Sequence, residues 1–369
     1  MSFDGSTLTR KLCDVALLRY LPQKGRWHYE DGLMLKAFEA ACRHWGDRRF
    51  SDAIHTWGEA AIRPDGSIVS YRREEYNLDQ INPGKALFFL FDESGDPRYR
   101  VALKSLREQL ARQPRTDAGG FWHKNMYPHQ MWLDGLYMQG PFYAEYAARF
   151  GPAEDFADIV KQYELAESNT RDGITGLLHH AWDESRTQAW ADSRTGRSPH
   201  FWSRAMGWYG MALVDLLDFL PESHRGRAGI INTLTRYADA LRVVQDRASD
   251  MWFQVLDQGI REGNYLETSG SAMFVYTFAK AVRRGYLPTE PYLTISKAGF
   301  RSISERMIST DSDGFPSLAG ICSVAGLGGN PYRDGSFQYY VSEPQAADDY
   351  KGLGPYILAG IELDRINHD

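Results

Sequence analysis

The sequence predicts an all-α protein: a single (α/α)6 toroid of six helical hairpins, with residues 1–369 forming one domain. Three observations carry this. Apolar residues recur at helical spacing in about twelve segments, and little of the chain alternates as a strand does. Short turns and long connections alternate, the pattern of helix pairs repeated around a ring or solenoid. The first and last segments have no sequence neighbour to pair with, so pairing them with each other closes the ring.

In chain order, the first segment is 6–20. The next two, 27–45 and 48–62, are joined by Gly46-Asp47. Segments 82–93 and 97–113 are joined by Glu93 to Asp96, with Pro97 at a helix start, where proline is tolerated. Gly151-Pro152 links 131–150 to 153–170, and Pro221 to Arg225 links 202–219 to 225–246. Gly285 to Thr289 links 265–285 to 290–308, and 348–366 ends the series. Between hairpins run much longer stretches: Arg63 to Ile81, Pro114 to Gln130, Arg171 to Phe201, Arg247 to Asn264 and Ser309 to Ala347. Long ordered loops in a compact protein are usually functional, and the alternation sends them all to one face. A two-domain bundle is the competing arrangement, but no Pro/Gly/Ser linker marks a boundary.

Composition narrows the function. The 369 residues are 43% hydrophobic and 24% charged, ample for a large core. Asp and Glu outnumber Lys and Arg 48 to 42, for a net charge of -6 with no basic block, so nucleic acid is not an expected partner. Cys13, Cys42 and Cys322 are odd in number and lack metal-ligand spacing, which predicts reduced thiols in a cytoplasmic protein. The N-terminus lacks the apolar core of a signal peptide and no run approaches membrane-spanning length, so no membrane association is expected. A substrate derived from a polymer would therefore have to be imported first. The expected assembly is a monomer or weak homodimer. Aromatics make up 13% of the chain. Most such rings fill cores, but aromatics beside polar residues in loops call for another explanation, because loops run over surfaces.

Helix 131–150 holds the residue around which the rest is arranged. Leu133, Leu136, Tyr137, Phe142 and Tyr143 fall at roughly helical spacing, and Asp134 breaks that apolar pattern. Gly135 and Gly140 suit close approach by a neighbouring helix, and Pro141 suits a kink. An acid among Trp132, Leu136 and Met138 is partly desolvated, which favours the neutral carboxyl that a proton donor needs. The positive end of a helix pulls the other way. Asp79 is the second acid: if it faces Asp134 across a pocket, the two do not readily ionise together and one keeps a proton. Local sequence leaves blander roles open, with Asp134 as a cap or buried paired acid and Asp79 as the N-cap of a helix opening at Asn82.

Other residues around the same face fit an acidic sugar. Trp and Tyr faces stack on pyranose rings, while Arg204, Lys124 and His180 are suited to hold a carboxylate. No metal or other cofactor is expected. His179 and His180 are adjacent and cannot share a helix face as a zinc pair would. Asp311-Ser312-Asp313-Gly314 opens like a calcium loop, but Gly falls at the fourth position and the later ligands are missing. There is no phosphate loop, Gly-x-Ser-x-Gly elbow or His-Glu-x-x-His signature.

Four motifs carry a family resemblance: His-Gln-Met-Trp-Leu-Asp-Gly-Leu-Tyr-Met (129–138), Tyr-Asn-Leu-Asp-Gln-Ile-Asn-Pro-Gly-Lys (76–85), Phe-Trp-Ser-Arg-Ala-Met-Gly-Trp-Tyr-Gly (201–210) and Tyr-Leu-Glu-Thr-Ser-Gly-Ser-Ala-Met (265–273). From about Trp27 to Leu363 the chain resembles the unsaturated rhamnogalacturonyl hydrolases of glycoside hydrolase family 105, and more distantly the unsaturated glucuronyl hydrolases of family 88. The resemblance implies the same toroid, and a substrate left by polysaccharide lyases whose terminal uronic acid carries a C4=C5 double bond, as in rhamnogalacturonan breakdown. It implies protonation at C4, addition of water at C5, and opening of the hemiketal with loss of the aglycone. By position it assigns Asp134 as catalytic acid and base and Asp79 as the supporting acid. It also assigns Lys124, His180, Trp202, Arg204 and Trp208 to hold the unsaturated sugar, joined by His129, Trp132 and Tyr29. The 309–347 loop is then the place to sense the aglycone. The competing functions are a conventional inverting glycosidase on the same toroid, a non-catalytic acidic-sugar-binding protein, and a uronate lyase.

Overall fold

The computed structural model describes residues 5–368. Helix α1 (Gly5–Arg19) is followed by α2 (Tyr29–Trp45), which ends on Gly46 at φ 68°. That left-handed residue closes the last turn, and Asp47 then accepts the Arg49 N–H at 3.0 Å to start α3 (Arg48–Ala61). The next hairpin repeats the device. Between α4 (Lys85–Ser94) and α5 (Pro97–Arg112), Gly95 takes φ 67° and Asp96 accepts the Arg98 N–H at 2.9 Å. The chain continues through α6 (Leu133–Phe150), α7 (Asp155–Thr170), α8 (Ser203–Leu216), α9 (Arg227–Val244), α10 (Thr268–Arg283), α11 (Thr289–Met307), the short α12 (Phe337–Ser342) and α13 (Tyr350–His368).

Helices α2, α4, α6, α8, α10 and α13 form the inner ring, each packed on the next, with α13 returning to α2. Their partners α3, α5, α7, α9 and α11 lie outside, and α1 completes the outer layer against α13. Gly360 of α13 makes room for Thr9 of α1, and Gly354 for Leu33 of α2. The result is the expected (α/α)6 toroid. The inner helices are buried almost all round; every residue of α10 from Thr268 to Ala281 is buried. A helix that is covered on all sides belongs in a core rather than at a surface.

A tyrosine on an outer helix locks each of two neighbouring hairpins. Tyr163 of α7 sits against Gly140 of α6 and points its hydroxyl at the carbonyls of Leu136 and Ala212, 3.3 and 3.2 Å away. Tyr237 of α9 sits against Gly210 of α8 and donates to the Met206 carbonyl at 2.9 Å. In both cases the glycine lies four residues after the accepting carbonyl. A methyl group at either glycine collides with the phenol, so Gly210→Ala should destabilise the protein by about 1–3 kcal/mol, the usual range for overpacking. Gly229, near the start of α9, faces open space. Gly229→Ala should raise stability by about 0.4–1 kcal/mol, and urea midpoints for both variants check the pair.

The expected helices are present, with differences at their starts. Little strand was expected from the sequence, yet short antiparallel ladders staple the long loops. They pair β1 (Gln130–Trp132) with β2 (Ala181–Asp183), β3 (Ile308–Thr310) with β4 (Pro316–Leu318), and β5 (Ile321–Cys322) with β6 (Gln345–Ala346). Runs this short show no alternation to read. Helix α6 begins at Leu133 rather than 131 because Gln130–Trp132 is taken by the ladder. Helix α4 begins at Lys85 because Leu78–Gly84 winds as a tighter 3-10 turn through Pro83. Asp311 closes its own turn, accepting the Asp313 and Phe315 N–H groups at 2.9 Å while pairing with Arg19. Among the described residues no helix is long and apolar enough to cross a membrane, and no group of His, Cys, Asp or Glu is placed to hold a metal ion.

Candidate active site

Every long connection runs from an outer helix to the next inner one, so all of them gather where the inner helices begin. There they enclose a cavity of about 130 Å³. Its walls come from the first turns of α2, α6 and α8, from the 78–84 turn, and from the loops before α6 and α13.

Asp134 stands in the first turn of α6, immediately after β1. The β1–β2 ladder pairs Trp132 with Ala181, and the Leu133 N–H donates to the His180 carbonyl at 3.0 Å, which brings the fully buried His180 beside the acid. His180 Nε2 lies 3.1 Å from Asp134 Oδ2, yet neither atom has a hydrogen-bond partner, because the two are out of line. On its other side His180 Nδ1 meets the Tyr340 hydroxyl at 2.8 Å. The ring is thus fixed from behind, and the Asp134 side chain lines the cavity with its buried Oδ2 turned to His180.

Asp79 is arranged differently. Asn77, not Asp79, caps the turn, accepting the Asp79 N–H at 3.0 Å. The Asp79 carboxylate is free to pair with Lys124 at 2.7 Å, and His123 Nε2 lies 3.6 Å away. Burial pushes Asp79 towards its neutral form, but the Lys124 ammonium overcomes it and holds the carboxyl below its ordinary value. Burial also pushes the His123 imidazole down to about 4, so it is neutral at pH 7. Asp79 is accordingly held as a carboxylate, and Lys124 is engaged by it.

Aromatic rings form the walls. Trp132 lies between His123 and Tyr127, with ring centres 4.7 and 4.9 Å away and nearly parallel planes. Trp202 donates to Gln254 Oε1 at 3.1 Å and packs its face on Tyr340. Trp208 and Tyr29 meet edge to face below, and Tyr137 backs Trp208 at 4.8 Å. Arg204 is 1% exposed and lies over the Trp202 ring at 4.7 Å. It donates to the Cys322 carbonyl and, at 3.3 Å, to Ser269 Oγ, but makes no ion pair with a carboxylate among the described residues. The nearby Glu267 is occupied elsewhere, accepting from the N–H groups of Ser269, Gly270 and Cys322 at the start of α10.

Of the ten residues singled out from sequence, Asp134, Asp79, Lys124, Trp202, Arg204, Trp208, Trp132 and Tyr29 line this cavity. His180 stands directly behind Asp134. His129 is not brought to the cavity; its ring packs on Trp122 at 4.9 Å and its backbone takes φ 61°. The sequence places Met138 beside Asp134 but assigns no role to His123, Tyr127, Arg333 or Tyr340. Position beside Lys124 was the available signal for His123, whereas Arg333 and Tyr340 arrive through loop folding that leaves no local pattern.

The model for Glycosyl Hydrolase Family 88 matches residues 7–367. A glycoside hydrolase from family 105 of C. acetobutylicum is 46% identical, with a TM-score of 0.94 over 97% of this chain and 99% of that one. The unsaturated rhamnogalacturonyl hydrolase YesR of Bacillus subtilis is 25% identical over 276 residues, 73% of this chain and 75% of its own. An unsaturated glucuronyl hydrolase from a Bacillus species shares the fold alone, at 13% identity and a TM-score of 0.70 over 98% and 96% of the two chains.

Proposed function

The chain belongs to Glycosyl Hydrolase Family 88, and from that premise we propose that it removes the terminal 4,5-unsaturated uronic acid from lyase-generated oligosaccharides, those of rhamnogalacturonan first. The observation that carries this is a pairing of opposites in one small cavity. Arg204 is a buried cation without a carboxylate partner among the described residues, and the Asp134 carboxyl lines the same cavity. A uronate satisfies the guanidinium, and its ring alkene is then held against the acid. The aromatic floor of Tyr29 and Trp208 closes the cavity from below, so a chain enters by its end, and its terminal residue is the one removed.

In this reading the protonated Asp134 delivers its proton to C4 of the enol ether. The positive charge that develops on C5 and the ring oxygen is stabilised by the nearby Asp79 carboxylate. Water attacks C5 and gives a proton back to Asp134, leaving a hemiketal. The C5 to ring-oxygen bond then breaks to give a ketone at C5, the freed oxygen becomes a hemiacetal hydroxyl at C1, and C1 collapses to an aldehyde with expulsion of the aglycone alcohol. One water is consumed in total. His180, fixed by Tyr340, keeps the Asp134 carboxyl oriented, and the loop that carries Val324, Ala325 and Arg333 faces the aglycone side.

Turnover in heavy water tests the reaction. It should place deuterium on C4 and abolish the alkene absorbance, and equal cleavage of a saturated uronide would instead indicate a conventional glycosidase. The six hairpins act in this reading as one domain. The three unpaired cysteines support a reducing compartment such as the cytoplasm.

Lys124 is assigned to keep Asp79 charged, which has a consequence for stability. A carboxyl whose folded value lies below 3.8 adds stability above that pH and loses it as the pH falls through the depressed value. In Lys124→Met burial acts on Asp79 with its main cation gone. The variant should therefore melt below the wild type at about pH 7, and the gap should close as the pH drops below about 4, where Asp79 is protonated in the unfolded chain of both. Thermal melts across that interval check it; a gap independent of pH removes the assigned role.

A further inference from the structure

A second polar cavity, of about 350 Å³, opens at the other end of the ring and takes residues from all six inner helices. The stacked rings of Tyr137 and Trp208 stand between the two spaces, Trp208 facing the candidate active site and Tyr137 the base. Each carboxylate on the basal wall is already paired with a cation. Glu39 pairs with Lys36 at 2.5 Å, Glu145 with Arg149 at 2.6 Å, and Glu362 with Arg283 at 2.6 Å. Asp215 and Asp218 share Lys280 at 2.6 and 2.7 Å.

Lys85, the first residue of α4, is the exception. It is 3% exposed, its Nζ has no hydrogen-bond partner, and its sole charge-directed contact is the face of Tyr137, 3.5 Å from the ring centre. An unpaired buried ammonium is costly, and although Asp215 and Glu145 act on it through space, neither pairs with it. Lysine has a flexible stem, and turning off the Tyr137 face carries Nζ into the cavity.

We propose that the basal cavity binds a small oxyanion, a phosphate or the carboxylate of a sugar acid, with the Lys85 ammonium as its central contact. The space exceeds a bare ion and lies in the lower range of small-molecule sites. Since the wall carboxylates are matched, Lys85 is the uncommitted cation that the incoming charge meets.

Binding should be linked to protons. Burial pushes the Lys85 amine down to about 7, with Lys36 and Lys280 acting in the same direction and Asp215 and Glu145 against it. An arriving anion favours the ammonium, so above pH 7 the site takes up a proton as it fills, and affinity falls as the pH rises. Glu145 from α6 is pushed up to about 7 by burial and titrates in the same interval, so the test must separate the two.

Calorimetric titration of the full chain with inorganic phosphate, and separately with galacturonate, in buffers of different protonation heat makes that separation. Saturable binding of at least one probe is expected, with close to one proton taken up at about pH 8 and almost none at about pH 6; galacturonate, ionised throughout this interval, gives the uptake directly, and for phosphate its own ionisation is removed by taking the difference from Lys85→Arg. Lys85→Arg, charged at both pH values, should keep binding and lose the uptake. Lys85→Met should weaken binding at least tenfold. Phosphate alone or galacturonate alone identifies the source of the anion, and either supports the site. Absence of saturable binding by both probes, proton uptake that persists in Lys85→Arg, or binding that Arg204→Lys weakens and Lys85→Met spares overturns the proposal. Because no turnover is measured, failure here is distinct from failure of the hydrolase assignment.

Discussion

Asp134→Asn is expected to lower kcat by about 10²–10⁴-fold, the usual contribution of a positioned general acid, while leaving the unsaturated disaccharide bound as tightly as before. The amide has the shape of the carboxyl but no acidic proton to give. Asp134 Oδ2 accepts no hydrogen bond among the described residues, and Asn keeps the shape that meets His180 at 3.1 Å, so the substitution should leave the fold intact. Loss of alkene absorbance gives kcat, and titration with the inert variant gives the dissociation constant. A variant that keeps more than a tenth of the wild-type rate would show that the proton comes from elsewhere. A variant that loses binding in step with rate would make Asp134 a binding group.

What the sequence showed of this site follows from the kind of signal each residue leaves. Asp134 was visible because a charge interrupted an apolar helical pattern, and the ring was visible because loop lengths alternated. Contacts between loops distant in sequence leave no such trace. The Tyr340 hydroxyl reaches His180 across 160 positions, and it does so from α12, a six-residue helix inside a segment that reads as loop. The balance between the two acids was also hidden. Asp79 and Asp134 suggested a shared proton, whereas Asp79 pairs with Lys124, which holds its carboxyl below the ordinary value. The basal cavity leaves no sequence pattern for another reason: its charges lie one to three per helix, spaced like an ordinary solvated face, and only ring closure turns them inward.

Arg204→Lys tests the other half of the chemistry, recognition of the uronate. A lysine keeps the charge but loses the planar fork that can grip a carboxylate while still donating to the Cys322 carbonyl and Ser269. Charge-assisted hydrogen bonds to a buried partner are worth about 1.5–3 kcal/mol, so kcat/KM should fall by about 10- to 150-fold, mostly through KM. A merely structural role also lowers activity, since Arg204 packs on Trp202 and ties α8 to the 309–347 loop. The methyl ester of the unsaturated uronide separates the two cases. The wild type should discriminate strongly against the ester, because a neutral group leaves the guanidinium unmatched. In Arg204→Lys that discrimination should shrink, acid and ester approaching the same kcat/KM. If the variant slows both substrates by the same factor, Arg204 supports the wall and does not read the carboxylate, and the cation that selects a uronic acid has to be sought at Arg333, which lines the same cavity and bonds to the Tyr127 hydroxyl at 2.9 Å.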